Sequence, residues 1–284
     1  MNQTRITETL VETNGTALNV ATIGDGPAVL LLHGFPHTWQ VWTPTMLDLA
    51  SEHRVIAPDL RGLGKSDRAT GGYDARNLAH DMIGLLEALG EQSSAVIGLD
   101  AGGPPAFLLG LEHPGLVTHL VLSETTIGRL PGAEDFFRAG PPWWFGFHSV
   151  PGLAEDVLAG NEAAYIDHFL RNGTADGLGV AVQFRDAFVE AYSAPGALRS
   201  AFEHYRAMPH SAEQIADAVT RSRLTIPTLA IGGQVAGDAT FRQLGPVTDD
   251  LTGHIIEGSG HIVPLDAPVD FLGLVRPFLA ARAV

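Results

Sequence analysis

The residues of this 284-residue chain that could do chemistry gather in four short stretches: His33-Gly34-Phe35-Pro36, Gly98-Leu99-Asp100-Ala101-Gly102-Gly103, Ser123-Glu124-Thr125 and Gly258-Ser259-Gly260-His261. The second has the form of the nucleophile elbow G-x-S-x-G, a sharp strand-to-helix turn that lifts one side chain clear of a sheet. Here an aspartate replaces the serine. A serine attacking an sp³ carbon would leave an ether that water does not cleave. A carboxylate attacking the same carbon leaves an ester, which a second step can hydrolyse. Asp100 at an elbow therefore points to displacement at carbon, as in epoxide opening or carbon–halogen cleavage. The competing reading is a helix N-cap, a common post for Asp.

The elements that must position these residues follow from periodicity. Ile6 to Ile23 alternates around Asn14-Gly15, a hairpin signal. Ala28 to Gly34, Arg54 to Pro58, Ser94 to Leu99, Val117 to Leu122, Thr228 to Gly233 and Gly253 to Ile256 read as strands, several of them apolar enough to be covered on both faces. Helices are expected over Thr38 to Ala50, over Ala75 to Leu89 with Gly90 as C-cap, from the elbow to His113-Pro114, and at the end of the chain near Ala280. Alternating strands and helices imply a parallel sheet wound on both faces, with ligands at the carboxyl ends of the strands. Asp100 and Glu124 both lie at such ends. The loop Asp59 to Asp67 reads as structural, its charges tied to backbone. From Gly128 to about Arg223 no clean strand occurs. Helical patterns at Glu162 to Leu170, Val180 to Tyr192 and Ala197 to Met208 mark an all-helical insertion that carries the aromatic run Trp143-Trp144-Phe145-Gly146-Phe147-His148.

Composition narrows the function classes. A net charge of −15 and no basic patch argue against nucleic acid and anionic membranes as partners. The absence of cysteine removes disulfides, thiolate chemistry and Cys-ligated zinc. No stretch suggests a signal peptide, a membrane span, a metal site or an organic cofactor, so a cytoplasmic protein without cofactor is expected. A homodimer is neither indicated nor excluded.

An early turn after a strand, an elbow nucleophile and a late histidine, in that order, resemble the α/β-hydrolase fold. The resemblance covers nearly the whole chain and rests on His33-Gly34-Phe35-Pro36, Asp59-Leu60-Arg61-Gly62-Leu63-Gly64-Lys65-Ser66-Asp67, the Asp100 elbow and Gly260-His261-Ile262-Val263-Pro264. It implies an α/β architecture with an eight-stranded, mostly parallel sheet, a core of residues 1–127 and 224–284, and a helical cap over 128–223. Within the fold, the Asp nucleophile and the His-Gly-Phe-Pro turn resemble the epoxide hydrolases. Phe202-Glu203-His204-Tyr205-Arg206-Ala207 is most similar to the Cif-like bacterial group. That likeness implies Asp100 as nucleophile, His261 as water-activating base and the backbone N–H groups of Phe35 and Ala101 as an oxyanion hole. It implies Glu124 as the acid that orients His261, with Asp238 after the penultimate strand as the alternative. Tyr205 matches a lid tyrosine that protonates the opening oxirane. Its partner position reads Trp143-Trp144, and Trp144 is taken as a hydrogen-bond donor, with Trp143 as a third member or a packing residue. Phe35, Pro36, His37 and Phe147 are expected to line the substrate pocket.

The expected substrate is a hydrophobic epoxide, bulky and aromatic in keeping with the lid, and similar proteins occur in pathways for aromatic secondary metabolites. A haloalkane or haloacid dehalogenase is the nearest rival. Two departures count against it: the residue after the nucleophile is Ala101 rather than Trp, and Ala101 to Pro105 contains no Arg to hold a substrate carboxylate. A non-catalytic ligand-binding protein of the same fold is the other alternative.

Overall fold

A computed structural model describes residues 5–281. The hairpin forms as β1 (Thr7–Thr13) and β2 (Thr16–Ile23), paired antiparallel, with Asn14 at φ 37° and Gly15 at φ 72° in the turn. β3 (Ala28–Leu32) follows, and a short 3₁₀ turn, Trp39–Trp42, precedes α1 (Thr43–Leu49). The single helix expected over Thr38 to Ala50 is thus divided. Pro44, which lacks an N–H, suits the first turn of α1. β4 (Arg54–Pro58), α2 (Ala75–Ala88), β5 (Ser94–Leu99), α3 (Gly103–Glu112) and β6 (Val117–Ser123) complete the first part.

Between β6 and the next strand come α4 (Trp143–Ser149), α5 (Leu153–Leu158), α6 (Glu162–Asn172), α7 (Val182–Ser193) and α8 (Ala197–Arg221). α8 runs well past Met208 and through Pro209, where periodicity alone stops it. β7 (Thr228–Gly232), α9 (Ala239–Leu244), β8 (Leu251–Ile255), α10 (Val263–Asp266) and α11 (Pro268–Ala280) end the chain. The eight strands form one sheet in the order β1-β2-β4-β3-β5-β6-β7-β8. The pairs of β2 with β1 and with β4 are antiparallel and the other pairs parallel. β3, β5 and β7 are buried at every position, as strands covered by helices on both faces must be.

The loop after β4 ties the early turn to the sheet. Asp59 accepts the N–H groups of Trp39 and Lys65 (2.9 and 3.0 Å) and the Asn19 amide (2.9 Å). Fully buried His33 bonds through Nδ1 to the Gly34 carbonyl and through Nε2 to the Leu60 N–H, at 2.9 and 3.1 Å. Because a carbonyl only accepts and an amide N–H only donates, these partners set the Nδ1–H tautomer. Arg61 is held by Asp81 through a two-pronged ion pair of 2.8 and 2.6 Å. These charges serve architecture, as the sequence reading expects.

Candidate active site

β5 ends at Leu99, and Asp100 turns the chain at φ 50°, in the left-handed region that few residues with a side chain enter. The turn is tight enough to need its glycines. A Cβ on Gly98 would lie 2.6 Å from the Gly102 carbonyl oxygen, and one on Gly102 would lie 2.4 Å from that of Leu32. Thr125 clamps the elbow from the neighbouring strand end, its hydroxyl donating to the Asp100 carbonyl at 2.7 Å. The elbow opens into a 3₁₀ turn, Asp100–Gly102, with no side-chain cap from Asp100. This carboxylate does not cap the helix. Its Oδ2 accepts the Phe35 N–H at 2.8 Å, and its Oδ1 lies 3.8 Å from His261 Nε2.

Glu124 is the other carboxylate of the site with left-handed backbone, at φ 45° one residue beyond β6. Its side chain is wholly buried. Backbone N–H groups from the loop after β7 surround it: Gly233 donates to Oε1, and Ala236 reaches both oxygens at 3.0 Å. The remaining partner is His261, whose Nδ1 stands 3.0 Å from Oε2. A buried carboxylate needs such partners. Asp238, the alternative acid, is 56% exposed at the start of α9, with Arg242 at 3.9 Å.

His261 thus bridges two carboxylates. Burial opposes its charge, but Asp100 and Glu124 outweigh burial and raise its pKa to about 10. Burial likewise pushes Asp100 up, and the adjacent His261 together with the Phe35 N–H overcomes it, leaving the carboxyl below its ordinary value. The pairing favours an anionic Asp100 beside a protonated His261.

A cavity of about 690 Å³ opens on Asp100 and Ala101. Its walls are mostly apolar, with Pro104, Phe137, Phe145, Met208 and Ile215 among them, and Tyr205 faces into it. The Tyr205 hydroxyl makes no hydrogen bond to any described residue. Burial first, and then the negative Asp100, raise its phenol well above the ordinary value, so the proton stays on.

The structure departs from expectation at the aromatic run around α4. Trp143 is 54% exposed, and Trp144 packs edge-on against Phe169 and Phe145. Neither lines the cavity. The residues of this segment that do are Pro141, Phe145 and Ser149, spaced by four, so the helical period turns this stripe inward and carries Trp144 round to Phe169. Pro36, His37 and Phe147 do not line the cavity either. His37 is fully buried against Phe188, and Phe147 packs on Trp143 and Tyr165. Phe35 and His261 contact Asp100 without lining it. The Phe35 ring is instead the hub of an aromatic cluster, meeting His148, Phe169, Tyr192 and Tyr205 edge-on. The clamp by Thr125 and the cage by Gly233 and Ala236 went unread in the sequence. The only signal for either is that Thr125 directly follows Glu124. Among the described residues no helix is long and apolar enough to cross a membrane, and no cluster of three or more His, Asp or Glu is arranged to hold a metal.

The elbow, the sheet order and the late histidine are those of one large class. A family model for the alpha/beta hydrolase fold matches residues 27–268, and the chain belongs to that family. Over 292 residues it is 30% identical to the soluble epoxide hydrolase of Corynebacterium sp. (strain C12), with 98% of each chain covered. The solved structure of Cfl2 from Burkholderia cenocepacia superposes with a TM-score of 0.88 at 29% identity, covering 95% of both chains. That of the Cif epoxide hydrolase from Acinetobacter nosocomialis does so with a TM-score of 0.88 at 25% identity, covering 96% of this chain and 89% of its own. Within the family the chain groups with the epoxide hydrolases of the Cif-like kind.

Proposed function

We propose that the protein hydrolyses a hydrophobic epoxide through a covalent ester on Asp100, with residues 128–223 acting as the cap over the core. The observation that carries this reading is the line of three side chains: Asp100 Oδ1 at 3.8 Å from His261 Nε2, and His261 Nδ1 at 3.0 Å from Glu124.

The two oxygens of Asp100 have different surroundings, and this assigns their roles. Oδ2 is held by the Phe35 N–H. Oδ1 is the attacking atom. It bonds to one oxirane carbon as the carbon–oxygen bond breaks, and the released alkoxide takes the Tyr205 proton. Tyr205 suits this step because it lines the cavity with its hydroxyl protonated and unshared. The product is an ester whose carbonyl oxygen is Oδ2.

Esterification removes the negative charge that raises His261. The imidazolium then loses its proton more readily, that proton replaces the one Tyr205 gave to the alkoxide, and the neutral ring, oriented by Glu124, takes a proton from water attacking the ester carbon. Negative charge develops on Oδ2, where the Phe35 N–H already points. Ala101 makes no hydrogen bond with the resting carboxylate, and its N–H is assigned as the second donor to the tetrahedral intermediate. Collapse frees the diol and restores Asp100. Trp144 has no step here, because it does not reach the cavity.

The test is mass spectrometry of the intact protein after brief exposure to styrene oxide or to a chloroalkane, using His261→Gln to trap the ester. An adduct on Asp100 from the epoxide alone is expected. An adduct from the chloroalkane alone would reassign the enzyme as a dehalogenase. No adduct from a panel of both kinds would favour a binding protein.

A further inference from the structure

His261 stands in a stretch with no helix or strand of its own, between β8, which ends at Ile255, and α10, which begins at Val263. Its ring is held at Nδ1 by Glu124 and lies 3.8 Å from Asp100 through Nε2. A base that must meet both a water and an ester carbon has to be fixed to about 0.5 Å by its surroundings. The main chain on either side of His261 supplies that constraint. Gly260 N–H donates to Asp266 Oδ2 at 2.5 Å, and Ile262 N–H donates to the Gly173 carbonyl at 2.9 Å.

The same Asp266 oxygen also accepts the Ala175 N–H, at 3.0 Å. Gly173 and Ala175 lie just beyond α6, and Gly173 N–H closes that helix on the Phe169 carbonyl at 2.8 Å. One carboxylate oxygen therefore joins the loop of the histidine to the segment that leaves α6. The two segments touch closely. A Cβ on Gly260 would stand 2.4 Å from the Gly173 carbonyl oxygen, so only glycine fits there. Among the described residues no Lys or Arg pairs with Asp266, and its carboxylate serves main-chain N–H groups alone.

We propose that Asp266 is a positioning residue for His261, locking the loop of the base against the segment after α6, so that ester hydrolysis depends on it and ester formation does not. The step it serves rests on the function proposed above. Ester formation is spared because Asp100 takes its bond from Phe35 in the early turn, and the phenol that protonates the alkoxide is carried by α8. Neither is bonded to Asp266. Without the carboxylate, the Gly260 and Ala175 N–H groups lose their acceptor, and the imidazole is free to drift from the ester carbon. A misplacement of about 1 Å slows a step by about 10²-fold.

The test uses two variants: Asp266→Ala, and Asp266→Asn, which removes the same charge but keeps an oxygen to accept the two N–H groups. Single-turnover mass spectrometry with styrene oxide reads the rate at which the Asp100 ester appears and, after the epoxide is diluted away, the rate at which it is lost. In Asp266→Ala, ester loss is expected to slow by about 10- to 100-fold with formation close to wild type. Asp266→Asn is expected to recover most of that rate. Equal slowing of both steps, unchanged hydrolysis in Asp266→Ala, or an Asn variant as slow as the Ala variant would overturn the proposal. NMR titration of the His261 imidazole needs no turnover, so it decides the role of Asp266 even if no epoxide forms an ester. Contact with two carboxylates raises that pKa to about 10. Asp266→Ala is expected to bring it down toward 6.5, while Asp266→Asn stays near wild type. An imidazole that titrates alike in wild type and Asp266→Ala would sink the positioning role.

Discussion

Glu124 and His261 are 137 residues apart in the chain and 3.0 Å apart in the fold, joined through Oε2 and Nδ1. Parallel pairing of β6 with β7 brings them together, because the loop after β7 supplies the N–H groups that fix the carboxylate where the imidazole arrives. The rest of the proposed chemistry depends on that contact.

Glu124→Gln keeps the shape of the side chain and removes its charge. Trapping of the ester on Asp100 should persist, while its hydrolysis should slow by about 10²-fold or more, the usual weight of a general base. Stopped-flow kinetics would show a burst followed by a slow steady state. A loss of the burst with hydrolysis unchanged would move Glu124 to the alkylation step.

Tyr205→Phe removes an unshared phenol from the cavity wall. Alkylation of Asp100 should slow by about 10²-fold as proton donation is lost, with little change in hydrolysis of an ester already formed. Trp144→Phe should leave alkylation unchanged, since Trp144 packs on Phe169 outside the cavity. Single-turnover rates of the two variants separate these outcomes.

Gly34→Ala tests how closely the early turn approaches the nucleophile. Its new Cβ would stand 2.3 Å from Asp100 Oδ2 and 2.5 Å from Asp100 Cβ, closer than non-bonded atoms allow. Something must move, and the Phe35 N–H bond lies between the two groups. A loss of ester formation with a cooperative unfolding transition retained is expected, read by mass spectrometry and circular dichroism.

The His261 pKa is raised from 6.5 to about 10 because two carboxylates outweigh burial. A group whose pKa is higher when folded stabilises fully below its unfolded value and loses that contribution as pH climbs through the folded one. Wild-type protein should therefore lose stability relative to His261→Gln between pH 6.5 and about 10. Urea unfolding of both at several pH values would show the gap narrowing upward. A constant gap would mean that the imidazole is neutral in the resting site.

The sequence by itself determined the order of the elements and placed an aspartate, Asp100, at the elbow on which the proposed carboxylate chemistry rests. The short apolar runs separated by helical periods dictate a wound parallel sheet. Such signals are local, carried by neighbours within one strand or one helical turn. Its errors lay where local signal is weak. Pro44 divided the helix expected from Thr38 to Ala50, and tertiary packing carried α8 through Pro209. Only the tertiary structure decided which of two acids meets His261, because Glu124 and Asp238 both follow strands and only one is enclosed by backbone N–H groups. It also decided which aromatic residues face the cavity. Trp144 and Phe145 are one residue apart, and the rotation of a two-turn helix, set by packing against Phe169, turns Phe145 to the cavity and Trp144 away from it.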